Sequence, residues 1–90
     1  MRKSHKLEVA LLSLVLTMPS YGYALRAALP SLGFPYYVNS DPIYQALYRL
    51  EQDGLVTRRW EIQEAGPARV VYTITDAGVA YLQRVGMPSF

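Results

Sequence analysis

The segment SDPIYQALYRLEQDGLV, residues 40–56, constrains the fold of this chain more than any other stretch. Ser40 or Asp41 is a suitable N-cap residue, and Pro42 falls in the first helical turn, where its missing N–H group costs nothing. Gly54 stands where a helix commonly ends on a left-handed residue, and β-favouring residues follow it. The segment therefore predicts a helix with defined ends that leads directly into a strand.

This predicted helix has two unlike faces. Its apolar residues recur at helical spacing and form one inward stripe, which consists of Ile43, Ala46, Leu47 and Leu50. The opposite face carries polar and aromatic side chains, namely Tyr44, Gln45, Tyr48 and Arg49. We expect the first face to be buried in a core and the second to be available for recognition.

Residues 7–17 are nearly all apolar, and two interpretations of them differ in consequence. A helix that is hydrophobic on most sides is buried on most sides, which suits a central helix. Basic residues before the run and the small residues at 22–24 also suit a signal peptide with a cleavage site. Because Glu8 abuts the run and a further helix follows Pro19, we favour the first helix of a cytoplasmic protein.

Two segments of alternating polarity follow the bounded helix. Residues 55–63 place Val56, Trp60 and Ile62 on one strand face, and residues 68–74 alternate in the same way. A Gly-Pro turn separates the two segments. This arrangement predicts a β-hairpin.

Capping signals predict a helix on either side of this unit. Ser20 is a candidate N-cap for residues 21–29, which Pro30 ends, and Thr75 or Asp76 caps the last helix. The order is three helices, two strands and a fourth helix, which is typical of a winged helix-turn-helix. We therefore expect residues 1–90 to form one α+β, mostly α, domain with the bounded helix as recognition helix and the hairpin as wing.

Composition limits the chemistry that is possible. The chain has no cysteine and a single histidine, so a disulfide framework, a thiolate nucleophile and a cysteine-based zinc site are excluded. We expect no catalytic residues, no metal and no cofactor, because the single histidine lies in the basic start of the chain and no paired-carboxylate site is evident. The net charge of +2 permits a polyanionic partner, and the 51% hydrophobic content predicts that some apolar surface meets another chain.

Three segments resemble the PadR family of bacterial transcriptional regulators. LLSLVLTMPSYGYAL resembles the family's first helix and the start of its second, and DPIYQALYRLEQDGLVTRRWE resembles its recognition helix and first wing strand. GPARVVYTITDAG resembles the wing turn, the second strand and the start of the last helix. The resemblance covers residues 7–82 and implies a cytoplasmic DNA-binding repressor that forms a homodimer, with some members responding to flat aromatic ligands.

The chain departs from the family pattern at two places. Pro42 stands where the family usually has a small or hydroxyl residue. The last helix ends near residue 85 and is shorter than the family's last helix, which usually carries the dimer interface. We therefore expect a homodimer that uses the N-terminal helix (Leu7, Leu11, Leu14) and the C-terminal helix (Tyr81, Val85).

The predicted contacts with double-stranded DNA are of two kinds. Arginines neutralise phosphates, whereas Gln45 suits adenine and Arg49 suits guanine. The full predicted set is Ser20, Tyr21, Ser40, Tyr44, Gln45, Tyr48, Arg49, Arg58 and Arg69. Residues 40–54 are nevertheless net negative, which leaves a second hypothesis open: a winged-helix protein–protein interaction module without strong DNA binding.

A dense aromatic group lies in the loop between the second and third helices. Phe34, Tyr36 and Tyr37 occur there among two prolines and a glycine. They either seal the edge of the core or line a site for a small aromatic effector. Aromatic residues usually supply packing area first, so packing is the simpler interpretation.

Overall fold

The computed structural model describes residues 5–37 and 39–85, which form four α-helices and a three-stranded antiparallel sheet. In chain order the elements are α1 (His5–Thr17), β1 (Ser20–Tyr21), α2 (Gly22–Ala28), a 3-10 helix (Leu29–Leu32), α3 (Asp41–Gln52), β2 (Val56–Glu61), β3 (Arg69–Ile74) and α4 (Asp76–Val85). The strand order is β1-β3-β2, so the second strand of the hairpin is central. This mostly helical winged-helix arrangement confirms the predicted fold class.

The helix α1 is the centre of the hydrophobic core. It contacts α2, α3, α4 and β3, and most of its side chains are buried. The buried apolar residues of α1 are Leu7, Val9, Ala10, Leu11, Leu12 and Val15. The prediction of a helix buried on most sides is confirmed. Within the described ranges, no helix has the length and apolarity needed to cross a bilayer.

The helix α3 has the ends that its sequence predicts. Ser40 occupies the N-cap position and Pro42 lies in the first turn, although the Ser40 hydroxyl makes no capping hydrogen bond. At the other end Gly54 has φ +74°. The N–H groups of Gly54 and Leu55 donate to carbonyls of the last turn, which is a Schellman ending. The predicted inward stripe is buried, so the remaining face of α3 points outward.

The strand β1 is an element that the sequence does not predict. Ser20 and Tyr21 pair with β3, and α2 begins only at Gly22. The Ser20 hydroxyl donates to the Met18 carbonyl and caps nothing, so the prediction of Ser20 as N-cap is wrong. A strand of two residues has no periodicity to recognise, and only its pairing with β3 defines it.

The hairpin forms as predicted, but the apolar residues of β2 and just after it are buried only at Val56. Val56 is buried and pairs with Ile74. By contrast Trp60 is 69% exposed and Ile62 is 88% exposed. Alternating polarity predicts which residues share a face, but it does not predict where the layer that covers the face ends.

The leucines predicted to form the dimer interface are mostly internal. Leu7 is 6% exposed and Leu11 is fully buried, so neither can contact a second chain in this fold. The prediction is wrong for these two residues, because helical periodicity marks a buried face without saying what buries it. Leu14 is partly buried against the same core. The apolar side chains exposed at the end of α1 and just after it are Leu16 and Met18.

The helix α4 is locked to the end of α3 by its first turn. The Thr75 hydroxyl accepts the Gly78 N–H at 3.0 Å and donates to the Gly54 carbonyl at 2.7 Å, which confirms Thr75 as the cap. Gly78 is buried so closely that an added Cβ would lie 2.3 Å from the Leu55 carbonyl oxygen. A glycine is therefore required there by a close backbone approach.

We expect Gly78→Ala to lower the free energy of unfolding by about 1–3 kcal/mol, because the added methyl group meets backbone that cannot move aside cheaply. Denaturant unfolding measures the change. Ala80→Ser, at an exposed position of the same helix, is the control and should change stability by less than about 0.5 kcal/mol. Equal stability of Gly78→Ala and wild type would contradict the close approach of α4 to Leu55.

Candidate nucleic-acid interface

The outward face of α3 is a continuous polar and aromatic surface. Tyr44, Gln45 and Tyr48 are exposed, with 46% of Tyr44 and 60% of Tyr48 accessible. Together with Asp41 and Arg49 they line a shallow concavity of about 400 Å³. Four residues of the predicted DNA-contacting set therefore lie on one surface of one helix, as the sequence pattern predicts.

Arg49 forms an ion pair with a residue of α1. Its Nε atom donates to Oε2 of Glu8 at 2.9 Å. The Glu8 side chain is 3% exposed and that of Arg49 is 32% exposed. Because a buried carboxylate is costly unless it is paired, this contact offsets part of the cost of burying Glu8 and joins α3 to α1. The sequence predicts Arg49 as a DNA contact but not this attachment.

A second, deeper groove separates α3 from the hairpin. Its volume is about 430 Å³, and its lining combines aromatic residues with two arginines, namely Tyr21, Gly22, Tyr23, Tyr44, Arg58, Trp60, Ala68, Arg69, Val70 and Tyr72. The Tyr44 ring packs directly on Gly22, where an added Cβ would lie 2.4 Å from the Tyr44 hydroxyl. The glycine of the Tyr-Gly-Tyr segment thus allows α3 to approach the start of α2.

Arg69 is the centre of a cluster that joins β1, the start of α2 and the hairpin. Its guanidinium carbon lies 4.0 Å from the centroid of the Tyr21 ring, and Nη1 donates to the Tyr23 hydroxyl at 3.2 Å. Its Nη2 lies 3.4 Å from Glu61 Oε1, which also accepts the Tyr21 hydroxyl. The structure therefore brings together Tyr21 and Arg69, which the sequence predicts separately. Tyr23 and Glu61 complete the cluster, and sequence reasoning did not select them.

The other predicted contacts differ in how strongly they are engaged. Arg58 is 54% exposed and lies 3.5 Å from Glu51, a surface ion pair that contributes little stability. Glu51 thus faces the hairpin. The Ser40 hydroxyl accepts Arg26 Nη1 at 3.3 Å, and Ser20 is half-buried in β1.

The aromatic loop is organised by Arg26, which sequence reasoning missed. Its Nε donates to the Tyr37 carbonyl at 2.8 Å, and its guanidinium lies 4.9 Å from the centroid of the Tyr36 ring. Phe34 and Tyr37 pack against the core, whereas Tyr36 is 65% exposed. None of these three aromatic residues lines the two concavities described above. An effector site at Phe34, Tyr36 and Tyr37 stays a prediction.

Glu61 controls the ionisation of Tyr21. The hydrogen bond that the phenol donates to the Glu61 carboxylate is the main cause that raises the pKa of Tyr21 above its ordinary value of 10.0, while Arg69 opposes it. A pKa raised in the folded state contributes stability that is complete below pH 10.0 and is lost as the pH rises through the folded value. The phenol is therefore protonated and donating at neutral pH.

We expect Glu61→Gln to lower the pKa of Tyr21, because the amide no longer penalises the phenolate while Arg69 still attracts it. An NMR titration of ring-labelled tyrosine, with the Tyr21 signal assigned from Tyr21→Phe, measures the shift. Glu64→Gln, which removes an exposed carboxylate from the hairpin loop, is the matched control and should leave this pKa unchanged. The cluster is contradicted if both variants titrate like the wild type.

Comparisons with known proteins agree with this fold. The model of the transcriptional regulator PadR-like family matches residues 11–84. The fold is similar to that of a PadR-like transcriptional regulator from Bacillus cereus, with 30% identity and a TM-score of 0.76 over 92% of this chain and 82% of that one. A PadR family regulator from Eggerthella lenta is 33% identical, with a TM-score of 0.75 over 88% and 67% of the two chains.

A third similar structure is Bacillus subtilis PadR in complex with operator DNA, with 28% identity and a TM-score of 0.76. The match covers 90% of this chain but 46% of that protein, so the chain spans less than half its length. Among the curated proteins, none matches this sequence.

Proposed function

Because the chain belongs to the PadR-like family of transcriptional regulators, we propose that it binds operator DNA with α3 and the β2–β3 hairpin. The observation that carries the proposal is the outward face of α3, which holds Tyr44, Gln45 and Tyr48 clear of the core beside a groove that contains two arginines. Bacillus subtilis PadR, which has a similar fold, was solved with operator DNA. Repression and a cytoplasmic location are part of this proposal.

In this proposal some exposed residues contact DNA bases and others contact the DNA backbone. Gln45, in the major groove, can donate to and accept from one adenine edge and so supplies sequence preference. Arg58 and Arg69 line the groove beside the hairpin, and the proposal assigns them to the neutralisation of phosphates. In this proposal Tyr21 and Tyr44, whose rings line the same groove, contact the DNA backbone.

Fluorescence anisotropy with duplex from upstream of the protein's own gene, compared with a scrambled duplex, tests the proposal. We expect tight binding to the upstream duplex. A plot of log K against log salt should have a negative slope of about 0.9 for each phosphate contacted. Gln45→Ala should weaken binding to the upstream duplex by about 10- to 100-fold, corresponding to about 1–3 kcal/mol for a lost bidentate base contact. Binding to the scrambled duplex should hardly change.

Gln83→Ala is the control, because Gln83 is an exposed glutamine on α4, away from the proposed surface.

The alternative function is a protein–protein interaction module of the same fold. It is favoured by the engagement of Arg49 and Arg58 with glutamates, which reduces the charge offered by this surface. If both duplexes bind weakly, and neither salt nor Gln45→Ala changes this binding, the result contradicts the proposed DNA binding and supports the interaction module.

We propose that the chain binds DNA as a homodimer, using α4 and the exposed end of α1. Val85 is 46% exposed and Tyr81, one turn earlier on α4, is partly buried. Leu16 and Met18 add exposed apolar surface at the end of α1, and such surface suits contact with a second chain. A dimer would place two α3 helices about one turn of DNA apart on a palindromic site.

We expect Val85→Glu to shift the protein from dimer to monomer at micromolar concentration, because a carboxylate would be desolvated at the interface. Sedimentation velocity measures the change. Ala80→Glu adds the same charge at an exposed position on another side of α4 and should leave the dimer intact. A monomeric wild type would contradict the proposed dimer directly.

A further inference from the structure

We propose that Glu8 is a positioning residue that sets the selectivity of α3 for operator DNA, because it holds Arg49 away from phosphates. The inference rests on the proposed DNA binding and deepens it. It concerns the balance between affinity for any duplex and preference for one sequence, which depends on how many cations reach the DNA backbone.

The contact is built to hold the guanidinium in place. Glu8 lies on the central helix and its side chain is 3% exposed, so the carboxylate cannot swing into solvent. Arg49 Nε meets it at 2.9 Å, within the range of a strong charge-assisted hydrogen bond. Withdrawing Arg49 would leave a buried carboxylate without this counter-charge, which is unfavourable in the folded chain.

The position of Arg49 gives this attachment a consequence for binding. Arg49 lines the same concavity as Gln45 and Tyr48, and about a third of its side chain is exposed. A guanidinium released from Glu8 would open onto the surface proposed to meet DNA. The side chain is therefore within reach of the partner but is engaged by the protein.

Charge on α3 makes this one arginine decisive. Arg49 is the only cationic residue between Asp41 and Gln52, and Glu51 on the same helix faces Arg58 of the hairpin. Phosphate neutralisation is independent of sequence, so a free Arg49 would raise affinity for every duplex. While Glu8 holds it, the base-contacting residues of α3 contribute a larger share of the total. The expected effect is a higher ratio of operator to non-operator affinity.

The experiment compares wild type, Glu8→Gln and the double variant Glu8→Gln/Arg49→Gln by anisotropy on the upstream and scrambled duplexes over a salt series. Glutamine keeps the shape of Glu8 but not its charge. We expect Glu8→Gln to bind the scrambled duplex more tightly and to steepen the salt slope by about 0.9, the value for one added phosphate contact. The double variant should return to the wild-type slope, and a purely structural role of Glu8 would not change this slope.

Equal salt slopes for wild type and Glu8→Gln, with both folded by circular dichroism, would overturn the inference and leave the proposed function intact. Wild type that shows no salt-dependent binding would overturn both. If Glu8→Gln does not fold, the salt slope of the double variant is compared with that of the wild type. An unchanged slope supports a withheld Arg49, and a slope shallower by about 0.9 shows that Arg49 already contacts a phosphate.

Discussion

The packing of α1 against α3 is the interaction on which the rest of the structure depends. The helix α1 fills the centre of the core, and the apolar stripe of α3 is buried in the same hydrophobic cluster. Each leucine or isoleucine fully buried there contributes about 1.5–3 kcal/mol. Because that stripe is fully used inside, the opposite face of α3 has to point outward. The recognition surface is thus a consequence of how the core is filled.

The wing is placed by a second set of contacts, which are polar and aromatic. Arg69 bridges the ring of Tyr21 and the carboxylate of Glu61, and so links β1 to both strands of the hairpin. Tyr44 packs on Gly22 and closes the same region from the side of α3. Three separate segments of the chain therefore converge around one groove. Few apolar residues are buried there, which makes its geometry dependent on these individual side chains.

Local signals in the sequence were sufficient for most of the fold. Pro42 lies in the first turn of α3 and Gly54 follows its last turn, as predicted, and Thr75 caps the start of α4. These features act within a few residues of chain, so their physical cause is visible in the sequence. The outward face of α3 was predictable for the same reason, since a stripe on one side of a helix determines the other side.

The features that were not predictable depend on partners distant in the chain. The strand β1 exists only because β3 lies beside it, and Glu8 meets Arg49 across 41 positions of sequence. Leu11 seemed suited to a dimer interface because periodicity shows which face is apolar, not which element covers it. Burial by another part of the same chain and burial by a second chain leave the same pattern in a sequence.

Three ion pairs among the described residues lie on the side proposed to bind DNA, and they differ in how readily their arginines could turn to a phosphate. Arg58 and Arg69 pair with glutamates that are 26% and 36% exposed. Glu51 can turn into water when a phosphate takes its place, at little cost. Glu61 also accepts the Tyr21 hydroxyl, so releasing Arg69 would disturb the cluster around that arginine. Glu8, which pairs with Arg49, has a side chain that is 3% exposed and cannot turn into water. In the proposed complex Arg58 is therefore the arginine most readily available to a phosphate, and the uncharged side chains of α3 are the first part of that helix to meet the partner.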